Sequence, residues 1–313
     1  MDLFAISLLN GLVYGLILFM LSSGLTLVFG MMGILNLAHA SFFMIGAYVG
    51  YVFTSLGYFW LGVVAAPIVV GVMGIVIERT MLRPIHKHGH GQELIFTFGL
   101  AFVIEEFVKL FFGDFSVEYS IPKQMSFTAF HLFGNDFPFY RLFMGGVAVA
   151  MFILIGVLLT YTRIGLIVRA AERLPVMTAA LGHDVWRVFS GVFGLGAALA
   201  GLAGAIAGAY YPTSPAMAIN FGIIVFVVVV VGGLGSIQGS FWASLLIGVL
   251  TSCIIVMDWS LADAARLIGL GDMAKQAGGV FLIPVSALAG VVPFLLMLLV
   301  LLFRPAGLMG ERK

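Results

Sequence analysis

Charge and cysteine are both scarce in this chain. Only 9% of its 313 residues are Asp, Glu, Lys or Arg, against 62% hydrophobic, and the mean hydropathy is +1.17. An ordinary soluble domain carries about 25% charged residues, so water is excluded as the main solvent of this polypeptide. The single cysteine, Cys253, excludes an intrachain disulfide, and its apolar setting between Thr251 and Met257 is that of a small packing residue. No G-x-x-x-x-G-K-[ST] occurs, which excludes nucleotide hydrolysis through a phosphate-cradling loop. The net charge of +1 is built from scattered basic residues, and without a basic face there is no case for nucleic acid. A basic leader is missing as well. Asp2 stands where one would begin, and the run Leu3 to Leu21 is of spanning length, so a permanent first helix is expected there.

What the chain does contain is one apolar run after another. A bilayer-spanning helix needs about 20 predominantly apolar residues. The runs are Leu3 to Ser23, Gly24 to Tyr58, Trp60 to Ile77, Leu94 to Phe112, Leu142 to Tyr161, Val188 to Tyr210, Ala218 to Val231, Phe241 to Met257 and Val280 to Phe303. Pro284 and Pro293 predict a kink in the last. The polar stretches 113–140 and 163–187 are too short to bury cores of their own, so residues 1–313 read as one transmembrane domain. The fold class is an all-α polytopic membrane protein of about nine transmembrane helices, with eight or ten also compatible.

Sidedness follows from Lys and Arg in the short loops. Arg79, Arg83 and Lys87 mark one basic loop, Arg163, Arg169, Arg173 and Arg187 another, and Arg304, Arg312 and Lys313 the tail. These are expected in the cytoplasm. Residues 113–140, with Asp114, Glu118 and Asp136 against Lys123, are expected outside. So are 258–275, with Asp258, Asp263 and Asp272 against Arg266 and Lys275. An odd number of crossings then puts the N-terminus outside and the C-terminus in the cytoplasm.

Residues 24–58 exceed a simple span, and Gly30, Gly33, Asn36, His39 and Gly46 interrupt them, which predicts a broken or re-entrant helix. Gly30, Gly33 and Asn36 repeat the spacing of Gly232, Gly235 and Gln238. Paired Gly-broken segments in the two halves of a transporter point to a substrate path, because unwound backbone at membrane depth survives only beside a cavity or buried in protein. Coincidence among 40 glycines is the competing explanation. Asn36, His39 and Ser41 place polar groups in the same apolar segment, either to line a cavity or gate or to pin the break by an internal hydrogen bond. Elsewhere, Glu105 and Glu106 are within reach of Lys109 on one helix, which predicts an ion pair ahead of a proton-coupling carboxylate. His86, His88 and His90 alternate without a cysteine to complete a metal site, and a solvated basic loop is expected there. Small residues from Gly191 to Gly208 recur at helical spacing and predict close helix packing.

The loop 163–187 mixes strong helix formers with Gly182 at a helix C-cap position, so a short surface helix followed by a glycine turn is expected. Leu174, Val176, Met177, Ala180 and Leu181 suit water poorly, which predicts docking against another protein. Here the sequence resembles the permease subunits of ABC importers. Their cytoplasmic coupling helix carries an E-A-A then Gly pattern, matched by Arg169-Ala170-Ala171-Glu172 with Gly182 following, although the Ala-Ala-Glu order is not a literal E-A-A. Gly24 to Gly30 continuing to Asn36-Leu37-Ala38-His39, then Gly232 to Ser236, then Phe303 to Leu308 are similar to LivH-type branched-chain amino-acid permeases. Glu78-Arg79 and Leu82-Arg83-Pro84 fit the same likeness, which spans Leu8 to Gly310.

The resemblance implies a non-enzymatic permease of the bacterial inner membrane. Its partners would be a second related permease in a heterodimer, two cytoplasmic ATPases, a periplasmic substrate-binding protein and membrane lipid. No cofactor would be bound by this chain, ATP and Mg being used by the ATPases. Arg169, Ala170, Ala171, Glu172, Leu181 and Gly182 would couple to the ATPase, and Gly30, Gly33, Asn36, His39, Ser41, Gly232, Gly235 and Gln238 would form the path or gate. Branched-chain or related small amino acids are the expected cargo, with urea, short amides or aromatic acids as the alternative. An ion-coupled carrier using Glu105 or Glu106 would instead run without an ATPase. An intramembrane hydrolase built on Ser41 or Ser236 with His39 lacks any visible oxyanion hole.

Overall fold

The computed structural model describes residues 2–132, 134–257, 259, 260, 263, 266 and 279–310. The first helix, α1 (Asp2–Met32), has 31 residues and so is about 46 Å long, more than the roughly 30 Å hydrocarbon layer needs. It runs unbroken through the boundary expected at Ser23/Gly24, because its apolar character continues to Met32. α2 (His39–Ser55) follows the break, then α3 (Phe59–Ile77). α3 continues through a π-helical turn, Glu78–Leu82, into a last turn, Arg83–His86. Pro84 has no N–H to offer Thr80 and its ring crowds that carbonyl, which accounts for the altered turn.

α4 (His90–Phe112) leads to a segment that the sequence left without regular structure but that contains a β-hairpin, β1 (Thr128–Leu132) with β2 (Asn135–Pro138). Its ends are clamped by the stacked rings of Phe127 and Phe139, with Phe130 on Phe137 inside the ladder. α5 (Phe139–Tyr161) is followed by two short helices, α6 (Arg163–Arg173) and α7 (Pro175–Ala180), in place of the single surface helix expected. Pro175 ends the first and starts the second. α8 (Val185–Ala207), α9 (Met217–Gly232), α10 (Ile237–Ile255) and α11 (Val292–Phe303) complete the chain. The kink expected in Val280 to Phe303 is a correction: 3-10 turns occupy Gly279–Leu282 and Val285–Leu288, and the helix starts only at Val292 with Pro293 in its first turn. Asp258, Asp272, Lys275, Arg312 and Lys313, used above for sidedness, lie outside the described residues.

Contacts at the helix ends sort the bundle into two faces. On one, the Arg83 guanidinium donates to the Trp186 carbonyl at 3.2 Å, Leu308 N–H donates to Val231 O at 2.9 Å, and Gly30 lies against Gly235, so the basic loops gather there. On the other, Val117 pairs with Thr213, Tyr119 donates to Ala205 O at 2.5 Å, and Arg141 donates to Asn10 at 2.5 Å. Among the described residues, nine helices alternate between these faces. Five of them, including α1, α3, α5, α8 and α10, are long and apolar enough to cross a membrane by themselves. α4 has the length but carries Glu93, Glu105, Glu106 and Lys109, and α2, α9 and α11 are shorter.

α8 is the core of the bundle, packed against α1, α2 and α3 through the small residues at helical spacing. A methyl group on Gly201 would meet Val70 at 2.8 Å, and one on Gly204 would meet the Ala47 backbone nitrogen at 2.8 Å and run into the Phe43 carbonyl. Lipid offers helices no hydrophobic drive to associate, so this close approach supplies van der Waals contact in its place. Overpacking such a contact costs about 1–3 kcal/mol, so Gly204→Leu is expected to lower the melting temperature of the detergent-purified protein. Gly191→Leu, on the same helix where nothing lies within 4 Å, is expected to leave it unchanged.

Candidate functional site: a broken helix beside a cavity

Between α1 and α2 the chain leaves helical geometry for residues 33–38. Gly33 opens the break in the left-handed region (φ +68°), where a side chain is disfavoured, and donates to Phe29 O at 2.8 Å as a helix C-cap. The segment then climbs back into the bundle, for His39 Nε2 lies 3.1 Å from the Leu21 carbonyl, 11 residues up α1 and so about 16 Å from its end. Unwound backbone at such depth needs partners. Asn36 Oδ1 accepts from Ala38 N–H at 3.0 Å, and Thr97 Oγ1, on α4, accepts from Leu37 N–H at 3.3 Å and reaches Leu35 O at 3.4 Å. Thr97 was not singled out in the sequence, where it is one more small polar residue in an apolar helix.

The break forms one wall of a cavity of about 320 Å³ between α2, α4 and α9. Phe98, Phe102, Ile219, Ile223 and Phe226 make it predominantly apolar, while Asn36, His39, Ser41 and Glu105 supply its polar residues. Asn36, His39 and Ser41 are at most 3% exposed, and among the described residues Asn36 Nδ2, His39 Nδ1 and Ser41 Oγ find no hydrogen-bond partner. Since a carbonyl can only accept, His39 must donate from Nε2 to Leu21, which leaves Nδ1 of the neutral ring as a bare acceptor. The wall therefore holds unused donors on Asn36 and Ser41 and an unused acceptor on His39. Each such group costs about 1–3 kcal/mol when left unpaired. Glu105 Oε1 is 3.0 Å from Lys109 Nζ, which also holds Glu106 at 2.7 Å, the ion pair expected from the spacing. This set suits noncovalent accommodation of a small solute with a polar and an apolar end.

The other sequence-predicted path residues lie elsewhere. Gly30 abuts Gly235 (φ +87°), whose added methyl would stand 2.7 Å from the Gly30 Cα, so the two similarly spaced glycine patterns meet at the basic face. Gly232 packs against the first turn of α10, and Gln238 is exposed on it. Gly30, Gly33, Gly232, Gly235 and Gln238 do not line the cavity. Ser236 caps α10 by accepting from Gly239 N–H at 3.1 Å and does not line it either. Among the described residues no group of three His, Cys, Asp or Glu could hold a metal ion.

The loop 163–187 lies at the basic face. Thr162 caps α6 by accepting from Gly165 N–H at 3.1 Å, and Val168 and Ala171 anchor the helix on the bundle. Arg169 and Glu172 face outward beside half-buried Ala170. Leu174, Val176, Met177 and Leu181 all project, the last 81% exposed, and Gly182 turns the chain at φ +87° with nothing within 4 Å. Asp184 then caps α8 by accepting from Arg187 N–H at 3.1 Å.

Behind this loop lies a buried charged cluster. Glu78, fully buried, accepts from Arg83 at 3.4 Å and from Ser190 Oγ at 2.5 Å, and Arg83 donates to Ser190 at 2.7 Å. The π turn makes this pair, since residues five apart align only there. Arg83 also lies over the Trp186 ring at 5.1 Å. Glu93, 1% exposed, is held by His86 and by His90 at 3.3 Å.

Removing the Thr97 hydroxyl leaves the half-buried Leu37 N–H without its side-chain partner, a loss of up to about 1–3 kcal/mol. Thr97→Val is therefore expected to accelerate amide hydrogen exchange in residues 33–38 and to lower thermal stability. Thr80→Val, which removes only an exposed intrahelical bond to Val76, is expected to do neither.

Comparison with known proteins agrees with this architecture. The family described as branched-chain amino acid transport system / permease component matches residues 7–301. The high-affinity branched-chain amino acid transport system permease protein BraD of Pseudomonas aeruginosa is 30% identical over 327 aligned positions, covering 97% of this chain and 95% of that protein. The corresponding permease protein LivH of Escherichia coli K12 is 27% identical over 321 positions, covering 96% of this chain and 94% of that one. A probable branched-chain amino acid transport permease protein LivH of Methanocaldococcus jannaschii is 28% identical over 257 positions, 78% of this chain and 79% of its own. No solved structure matches the chain. With nearly the full length matched and an all-α membrane bundle in place, this chain belongs to the family of branched-chain amino acid transport system permease components.

Proposed function

We propose that this chain is the transmembrane permease subunit of an ATP-binding-cassette importer that carries branched-chain or related small amino acids across the bacterial inner membrane by alternating access. The observation that carries this reading is the projecting apolar platform Leu174, Val176, Met177 and Leu181 at the face where the basic loops gather. Water is a poor solvent for it and lipid does not reach a cytoplasmic loop, so a protein partner is its natural cover. The resemblance to ABC importer permeases makes that partner a cytoplasmic ATPase, one of two, which holds the ATP and Mg that this chain has no phosphate-cradling loop to hold. Arg169, Ala170, Ala171, Glu172, Leu181 and Gly182 form the coupling contact. The chain holds no cofactor of its own and acts as one membrane unit, with the N-terminus periplasmic and the C-terminus cytoplasmic by the distribution of Lys and Arg.

The path follows the cavity, where Asn36, His39 and Ser41 meet the polar end of the solute and the phenylalanine and isoleucine walls meet its side chain. Gly30, Gly232 and Gly235 form the packed cytoplasmic end beneath it, where closure is made by backbone contact, with Gly33 and Gln238 exposed at its edge. A second related permease completes the membrane unit within surrounding lipid, and a periplasmic binding protein delivers solute to the opposite face.

Placing a carboxylate on the platform opposes docking without touching the bundle. Leu181→Glu is expected to abolish ATP-dependent uptake of radiolabelled leucine in vesicles holding the complete transporter, while membrane insertion stays normal. Strain at φ +87° gives Gly182→Val the same direction of effect. Wild-type uptake by Leu181→Glu would remove the coupling assignment.

A further inference from the structure

We propose that Glu93 is a positioning residue that carries displacement of the loop 163–187 to the wall of the cavity. This rests on the transport reading above and assigns its route through the chain. The route starts at Trp186, the end of the loop. Its carbonyl accepts from Arg83 at 3.2 Å, its ring lies beneath the Arg83 guanidinium at 5.1 Å, and it meets the His86 ring edge-on with centroids 6.0 Å apart. Arg83 and His86 belong to the last turn of α3, so a shift of Trp186 moves that turn. His86 Nδ1 in turn bonds the Glu93 carboxylate, whose second oxygen lies 3.3 Å from His90 Nδ1. Glu93 is thereby the tie between the base of α3 and the first turn of α4.

From Glu93 the connection is a rigid rod. Thr97 follows one turn later on the inward side of α4 and holds Leu35 and Leu37 of the unwound segment. Ala101 and Glu105 follow at the same four-residue interval, and both line the cavity. The side of α4 away from the cavity packs on nothing among the described residues, since Ile95, Phe107 and Leu110 are exposed there. A first-turn carboxylate favours the helix N-terminus, but that needs no burial, and Glu93 is 1% exposed with its oxygens on His86 and His90. Its partners all lie on the path between loop and cavity. Mechanical coupling of this kind needs discrete contacts that both ends bias, and this series of contacts supplies them.

The test uses vesicles containing this chain with its companion permease, ATPases and binding protein, in which leucine uptake and ATP hydrolysis are measured together. Glu93→Ala is expected to lower uptake per ATP by about tenfold while hydrolysis stays within about twofold of wild type, the size of an ordinary coupling free energy. Glu93→Gln keeps the hydrogen-bonded tie and is expected to restore the ratio. Thr97→Val cuts the same route at its far end and is expected to lower it again. An unchanged ratio in Glu93→Ala overturns the proposal, as does a parallel fall of uptake, hydrolysis and assembled complex, which would make Glu93 merely structural. Failure of Glu93→Gln to restore the ratio overturns it too. Wild-type vesicles that hydrolyse ATP without uptake would instead overturn the transport reading itself.

Discussion

The rest of the bundle depends on how closely α8 approaches its neighbours. In hydrocarbon, burying apolar side chains against one another gains little over burying them in lipid, and helices associate through contact density and satisfied polar groups. Gly194, Gly201 and Gly204 remove side chains where α3 and α2 cross, and Gly24 meets Gly196 where α1 passes. With no Cβ in the way, backbone lies on backbone, and α1, α2 and α3 are held in fixed register around a single axis. That register lifts the start of α2 to the depth of Leu21 and obliges residues 33–38 to cross the intervening distance without helical hydrogen bonds.

The break therefore follows from packing elsewhere, and its cost is met locally. Asn36 folds onto Ala38, Thr97 reaches across from α4, and His39 ties back to α1. Asn36 Nδ2, His39 Nδ1 and Ser41 Oγ are left over. Both donors and an acceptor are thus unused beside phenylalanine and isoleucine, so one wall offers polar and apolar surface side by side.

At the basic face the charges do more than set orientation. Glu78 and Glu93 are both buried, and a buried ion pair such as Glu78 with Arg83 seldom stabilises a protein more than apolar residues of the same shape would. What they contribute is geometry. Glu78 requires the π turn and Arg83, which bring Trp186 and Ser190 onto the end of α3, while Glu93 fixes α4 to that same end. Three helices and the projecting loop thus meet in one polar knot in an otherwise apolar molecule.

By itself the sequence determined the membrane environment, the all-α polytopic class, the break within 24–58 and the projecting character of 174–181, because each depends on local composition over one helix length. Apolar periodicity did not locate the end of α1, which Gly33 and not Gly24 decides, nor the late start of α11 at Val292, with Pro293 in its first turn. The hairpin at 128–138 was hidden in a stretch read only for charge. Tertiary structure alone decided which polar residues act together. Asn36, His39 and Ser41 share a wall with Glu105 although α3 intervenes in sequence, Thr97 joins them through one hydroxyl, and the two glycine patterns meet face to face instead of lining the cavity. Those relations are fixed by helix crossings between residues up to about two hundred positions apart, and no local window of sequence encodes a crossing.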